Sequence, residues 1–448
     1  MAVVIASYFY QLAGLLGLAD EIFQIDFSTI YTAAKMAWLG HSLYLNPYLV
    51  APDLWDQVAV YPYSRWLYPP LAAWLFTPLL LFPYQWAKII WIVAIIGTLT
   101  ASLSLTAKTL RVQFSLDHWL VLALVSVWFF PVWASLERGQ IDAFCLVLLT
   151  GSFYLVAQGG KREFGAGLLV AFATLLKLHC GLILVFFLWQ RKWRAAAGVC
   201  TGGLTLLLVS LIVTGWPANR DYVLVELPRI SKYGCFGDQE SVLPPIAARI
   251  KINKKASAKE IEDQKLYPSY VQYEGRTYVY AANKYSGTAS PSLILKFIGS
   301  DRLTYGQYSQ IMLVLALSLI FFLEKKRAPR SNLSPALDQT IFYFLGLATI
   351  LICAPLTWTM NGVWLLPLCL IVLQYISNPA VSAQLPSRWM AVLVVGLFLV
   401  ALPDQMSLYS RVEVTVFFLN FKPLLGHMLC FAALLGLRYA SPPEPAAS

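Results

Sequence analysis

Asp26 is the first group in the chain whose type and position could do chemistry. It lies in "QIDFSTIYTAAKMAWLG", directly after an apolar stretch, and Phe27, Ile30, Tyr31, Ala34 and Trp38 follow it at helical spacing. One reading makes Asp26 a helix N-cap that satisfies the free N–H groups of the first turn. The other makes it a general base, which needs one carboxylate within hydrogen-bond reach of a substrate hydroxyl. The two readings are compatible.

Four further groups of polar residues stand out along the chain. "ERGQID" offers Glu137, Arg138, Gln140 and Asp142, either as an ordinary span boundary with a surface ion pair or as a polar rim for hydroxyl-rich ligands. "LLKLHCG" places Lys177 and His179 in an otherwise apolar segment. There they read as a snorkelling lysine with a structural histidine, or as a cation set at a cavity wall to neutralise a phosphate. Trp358 and Asn361, in "TWTMNG", could stack on and hydrogen-bond a sugar ring, although a tryptophan at a membrane interface needs no such role. In "GDQES", Gln239, Glu240 and Ser241 read as loop structure or as acceptor recognition.

The elements that must position these groups are membrane helices. The 448 residues are 58% hydrophobic and 12% charged. Soluble domains carry about 25% charged residues, and only helices or closed barrels satisfy their backbone in lipid. Long continuous runs such as "WIVAIIGTLTASLSL" select helices. The net charge of +10 falls in short clusters between spans, the usual cytoplasmic excess of Lys and Arg, and does not indicate nucleic-acid binding. Of seven cysteines, six lie in apolar segments and Cys235 stands alone in a polar loop, so no disulfide framework or metal motif is visible. The N-terminal stretch lacks a basic n-region and a clear cleavage site, and is expected to be an uncleaved first span.

Two segments decide the threading. In "YPPLAAWLFTPLLLFPYQW", Tyr68 to Trp86, four prolines leave too little unbroken helix for the ~20 residues of a span, so an interfacial helix is expected. Glu163 to Gln190 has basic clusters at both ends. Two short helices meeting at Lys177–Gly181, each reaching roughly 20 Å, keep both clusters on one side. A single crossing would leave Lys177 near the bilayer centre at a cost of ~3 kcal/mol.

Spans then lie near 2–19, 86–106, 118–135, 141–157, the short pair 164–178 and 180–190, 196–214, 306–323, 339–354, 360–375, 388–403 and 420–437. The expectation is an all-α polytopic membrane protein, one integral-membrane domain over 1–448 with about 12 transmembrane helices and both termini cytoplasmic. A first extracytoplasmic loop covers 20–85 with interfacial helices, a large one covers 216–305, and 439–448 forms a disordered tail. Asp26, "ERGQID", "GDQES" and "TWTMNG" all come out on the extracytoplasmic side.

The ordered set of motifs resembles glycosyltransferase family 87. "D-F-x-x-x-Y-x-A-A…G-x-x-x-Y" followed by "YPPL" is similar to the family's start, and "ERGQIDAFCLVLL" to its Gly-Gln-x-Asn segment. "AGLLVAFATLLKLHCGLILVFFLWQRKWRA", "GDQES" and "APLTWTMNGVWLLPLCLIV" are similar to later segments in the same order. The resemblance implies the GT-C fold and an inverting mannosyltransferase that uses a polyprenyl-phosphate sugar. Asp26 would then be its base, and the donor phosphate would lie near Lys177, His179 and Arg138. Tyr31, Tyr68, Glu137, Gln140, Asp142, Gln239, Glu240, Ser241, Trp358 and Asn361 would line the substrate site. Further implications are a lipid-linked or glycan acceptor, a role in cell-envelope glycolipid synthesis, and a bacterial inner membrane with the site facing the periplasm or exterior. No cofactor is expected, although Asp26 with Glu137 or Asp142 could hold a divalent ion. Departures stand at Asp142, where the pattern has Asn, at Leu178, where it has Pro, and after Trp358, where its His is absent. A transporter or flippase of lipid-linked glycans would instead need midplane sites and usually internal repeats. No repeat is evident. A non-catalytic membrane scaffold is the other class.

Overall fold

The computed structural model describes Ala6 and residues 25–44, 66–233, 270–273, 276–279, 303–326, 333–355, 357–403 and 413–440. The expected first span at 2–19, "GDQES" and the 441–448 tail lie outside the described residues, Ala6 excepted.

Apolar sequence dictates the helical order. Helix α1 (Ile25–Trp38) carries Asp26 in its first turn. The proline-punctuated stretch forms a short helix, α2 (Pro70–Leu75), and a 3-10 turn (Thr77–Leu81), not a span. Then come α3 (Tyr84–Leu110), the bent pair α4 (Leu116–Trp128) and α5 (Phe130–Arg138), and α6 (Asp142–Gln158). The segment holding Lys177 breaks where the sequence predicts. Helix α7 (Arg162–Leu176) ends at Lys177, whose backbone is extended (φ −146, ψ 112), and a 3-10 turn (Leu178–Leu182) leads into α8 (Ile183–Trp189).

Helix α9 (Trp193–Asp221) departs from expectation by continuing past Trp216 through a break at Gly215 (φ 77) into a π turn (Tyr222–Glu226) and α10 (Leu227–Tyr233). The expected span ends at 214, but Asn219 repairs the break at Gly215. Its amide donates to the Gly215 carbonyl (2.7 Å) and to Thr214 Oγ1 (2.8 Å), while Ser210 Oγ donates to Asn219 Oδ1 (2.7 Å). Backbone groups freed in an apolar helix need such partners. Within the stretch expected as the large loop, β1 (Tyr270–Tyr273) and β2 (Arg276–Val279) form an antiparallel hairpin pairing Tyr270 with Val279.

The C-terminal part holds α11 (Tyr305–Lys326), α12 (Pro335–Cys353), a 3-10 segment (Thr359–Leu365), α13 (Leu368–Ser377), α14 (Pro379–Ser382), α15 (Ser387–Ala401) and α16 (Glu413–Tyr439). Among the described residues, four helices are long and apolar enough to cross a membrane, and six spans result if each bent pair counts as one. The chain is an integral membrane protein on that measure.

Burial separates a central helix from a perimeter one. In its most apolar window α12 is 83% buried, whereas α11 is 17% buried and presents Val314, Leu315, Phe321 and Phe322 outward, as a lipid-facing helix does. Small residues set the closest packing. Gly167 on α7 and Gly198 on α9 face each other, and a Cβ on either would clash with the other helix's backbone. This is the small-residue contact that lets membrane helices approach without a hydrophobic driving force.

Candidate active site

Four of the five polar groups singled out in the sequence meet in space, and the fifth, "GDQES", lies outside the described residues. Asp26 is brought there by α1, which aromatic residues hold in place. Phe27 stacks on Tyr84 (ring centroids 5.6 Å), and Tyr31 donates its hydroxyl to the Phe82 carbonyl (2.9 Å). Across from it, α5 ends at Arg138. Gly139 takes the left-handed conformation (φ 70) that glycine adopts at little cost, and the chain turns through Gln140 into α6. That reversal points both Arg138 and Gln140 at Asp26. Gln140 Nε2 donates to Asp26 Oδ2 at 2.5 Å, and Arg138 Nη1 lies 3.6 Å from the same oxygen.

The Asp26 and Arg138 side chains keep 22% and 20% of their surface accessible, so a ligand can reach both. Burial pushes the Asp26 carboxyl above the ordinary carboxylate range. The Arg138 charge, the Gln140 hydrogen bond and the Lys177 charge oppose that rise. The result is a carboxylate more basic than usual, held by one amide and one cation.

Asp142 begins α6 and is fully buried. Lys177 Nζ donates to both its carboxylate oxygens, at 2.9 and 2.8 Å, with the lysine side chain only 9% exposed. Asn361 Nδ2 donates to Asp142 Oδ1 (2.6 Å), and the Asn361 carbonyl oxygen accepts the Trp358 backbone N–H (2.5 Å). Trp364 Nε1 donates to the Asp142 backbone carbonyl (3.1 Å). A buried charge is tolerated when it is paired and its remaining hydrogen-bonding capacity is filled. Asp142 meets both conditions.

The other candidates take varied places. Tyr68 is half-buried and senses Lys177, Asp26 and Asp142 together. Burial raises its phenol above the ordinary tyrosine range, and the Tyr44 hydroxyl donates to its backbone carbonyl (2.9 Å). His179 is half-buried beside Lys177, with its ring 5.6 Å from that of Trp364. Glu137 is half-buried on α5, and Trp358 packs against the small cluster of Phe130, Ala134 and Met360. Tyr31 spends its hydroxyl on Phe82, and so anchors α1. Gln239, Glu240 and Ser241 lie outside the described residues. A cation shared between Asp26 and Asp142 would have to compete with Lys177 and Asn361 for the Asp142 oxygens. Among the described residues no three His, Cys, Asp or Glu side chains cluster as metal ligands.

Sequence reasoning missed two tryptophans here, Trp91 and Trp364. Each sits in an apolar run, and the only available signal was an indole N–H that, once buried, usually finds an acceptor.

Residues 66–247 match the sequence profile of glycosyltransferase family 87. This is the family that the motifs resemble, and the matched stretch includes Arg138, Gln140, Asp142 and Lys177. Two curated relatives bear the name polyprenol-phosphate-mannose-dependent alpha-(1-2)-phosphatidylinositol pentamannoside mannosyltransferase. The one from Mycolicibacterium smegmatis is 29% identical over 181 residues, covering 40% of this chain and 43% of its own. The one from Mycobacterium tuberculosis is 26% identical over 181 residues, 40% of each chain. The chain thus matches about two fifths of the length of these relatives.

Proposed function

We propose that this chain, part of which matches the family 87 profile, is a membrane glycosyltransferase of the GT-C type, with about 12 spans, working at the extracytoplasmic face of a bacterial inner membrane. It transfers a sugar, mannose in the simplest case, from a polyprenyl-phosphate donor to a lipid-linked or glycan acceptor with inversion. One observation carries the reading. Asp26 is a reachable carboxylate, more basic than usual, with a cation beside it, on a helix that precedes the short α2. The names of the two relatives supply the donor class.

The steps follow from those groups. The acceptor hydroxyl gives its proton to Asp26, and its oxygen attacks the anomeric carbon. The bond from that carbon to the phosphate oxygen breaks, and polyprenyl phosphate leaves with the electron pair. Attack from the face opposite the phosphate turns a beta donor into an alpha product. Arg138 takes the charge developing on the leaving phosphate. Lys177, which donates to both Asp142 oxygens, is assigned a further contact with that phosphate. His179 stands beside it as a further donor. Gln140 orients the base, while Tyr68, Glu137, Trp358 and Asn361 line the sugar side. Gln239, Glu240 and Ser241 are assigned to the acceptor. A donor anchored by its prenyl tail would require the reacting groups to lie at the bilayer edge and not at its midplane.

Purified protein incubated with radiolabelled polyprenyl-phosphate mannose and membrane lipids should give a labelled, alpha-linked product, and Asp26→Asn should abolish it. Product formation undiminished in Asp26→Asn would overturn the assignment.

A further inference from the structure

Four segments have to be held at fixed spacing for Asp26, Arg138 and Gln140 to meet, and one side chain touches all four. Trp91 lies on α3, 4% exposed, among residues that read as plain membrane span. Its Nε1 donates to the Gly139 carbonyl at 2.8 Å, at the residue between Arg138 and Gln140. Its ring lies 5.5 Å from that of Phe27, the neighbour of Asp26. It stacks on Phe144 of α6 (4.6 Å) and meets Phe76, between α2 and its 3-10 turn, edge-on (5.4 Å).

The hydrogen bond matters because of where it falls. Gly139 sits at φ 70, and the N–H groups of Gly139 and Gln140 both reach back to the Ser135 carbonyl. Those bonds close the helix end but leave the Gly139 carbonyl to be fixed from outside. The direction of that carbonyl sets the peptide plane from which Gln140 departs. A misplacement of about 1 Å in such a group can cost on the order of 10²-fold in rate.

We propose that Trp91 is the positioning residue of this site, its indole N–H setting the Arg138–Gly139–Gln140 turn while its ring sets the start of α1 against it. The proposal rests on the transfer reading above for its kinetic consequences, but not for its chemical one. Trp91 touches no substrate and acts through Gln140, Arg138 and Asp26. Without it, Gln140 and Arg138 stop opposing the effect of burial on the Asp26 carboxyl, and that group titrates at higher pH.

The test is Trp91→Phe, which keeps a ring among Phe27, Phe76 and Phe144 but removes the donor. Phe144→Leu serves as a second variant, weakening the stack, and Trp389→Phe is the control, a partly buried tryptophan that packs on Gly436. Two readouts are taken on full-length protein in detergent. Carbodiimide labelling of Asp26, followed by mass spectrometry against pH, reports its titration without any substrate. Transfer kinetics with polyprenyl-phosphate mannose report kcat and KM.

Trp91→Phe should move the Asp26 labelling midpoint to higher pH and lower kcat about tenfold, with KM changed less than about twofold. Phe144→Leu should do the same more weakly, and Trp389→Phe neither. A labelling midpoint unmoved in both site variants overturns the positioning role, whatever the activity. Transfer that survives Asp26→Asn overturns the catalytic reading, while a shifted midpoint would still uphold the role of Trp91.

Discussion

Two acid–base pairs, in which only Arg138 of one and Asp142 of the other are close in sequence, are built differently. Asp142 is sealed in, held by two short hydrogen bonds from Lys177, with Asn361 donating to its carboxylate and Trp364 to its backbone carbonyl. Asp26 and Arg138 stand 3.6 Å apart, each about a fifth exposed, with Gln140 donating its amide to the carboxylate. The first pair ties the N-terminus of α6 to the break after α7 and to the 3-10 segment at 359–365, so it fixes helix ends. The second leaves both charges within reach of a ligand. Burial and hydrogen-bond partners, more than the presence of charge, tell the closed carboxylate, Asp142, from the reachable one, Asp26.

Substitutions can break the contrast directly. The largest effect should come from Asp142→Ala, which strands a buried ammonium and should cost about 3–5 kcal/mol of stability, read by denaturation in detergent. Replacing both partners, as Asp142→Leu with Lys177→Met, should recover most of that loss, because no lone charge then remains. Asp26→Asn should behave in the reverse way. It should lose at least about 10²-fold in kcat from the missing base with stability equal to or above that of the parent, since burial already penalises that charge.

Arg138→Gln and Lys177→Gln sharpen the comparison on the donor side. Arg138→Gln should raise the donor KM about tenfold with little change in stability, as expected for a partly exposed charge. Lys177→Gln should slow turnover and raise KM, and should also destabilise the fold because Asp142 loses its counter-ion. Lys177→Gln kinetics equal to the parent's would remove Lys177 from phosphate binding and leave it purely structural. The smallest effect concerns pH. The base must be ionised to act, and a carboxyl raised above the ordinary range loses activity as pH falls through that raised value. Gln140→Met removes a hydrogen bond that favours the ionised form, so the acid limb of the kcat profile should move to higher pH.

Much of the fold was legible from composition and punctuation. Four prolines kept Tyr68–Trp86 from forming a span, and the break at Lys177 fell where the basic clusters on either side of it required. The span expected over 196–214 runs on through a break at Gly215 instead, because the repair by Asn219 is a side-chain contact that no local propensity reports. The site was legible as a set of residue types. Asp26, Arg138, Gln140, Asp142, Lys177 and Asn361 all stood out as polar groups in apolar surroundings.

The roles within that set were not legible. Nothing in the spacing says that Asp142 answers Lys177, 35 positions away, while Asp26 is met by Gln140 across 114. By itself the sequence determined that the chain is a helical membrane protein, since its scarcity of charge and its long apolar runs leave few other ways to satisfy a backbone in lipid. It also named the polar residues that such a chain would carry only for a reason. The tertiary structure alone decided which charges are paired and which can be reached. Hydrogen-bond saturation and burial depend on side chains from distant helices, and on tryptophans such as Trp91 whose single polar atom is invisible in a hydrophobic pattern.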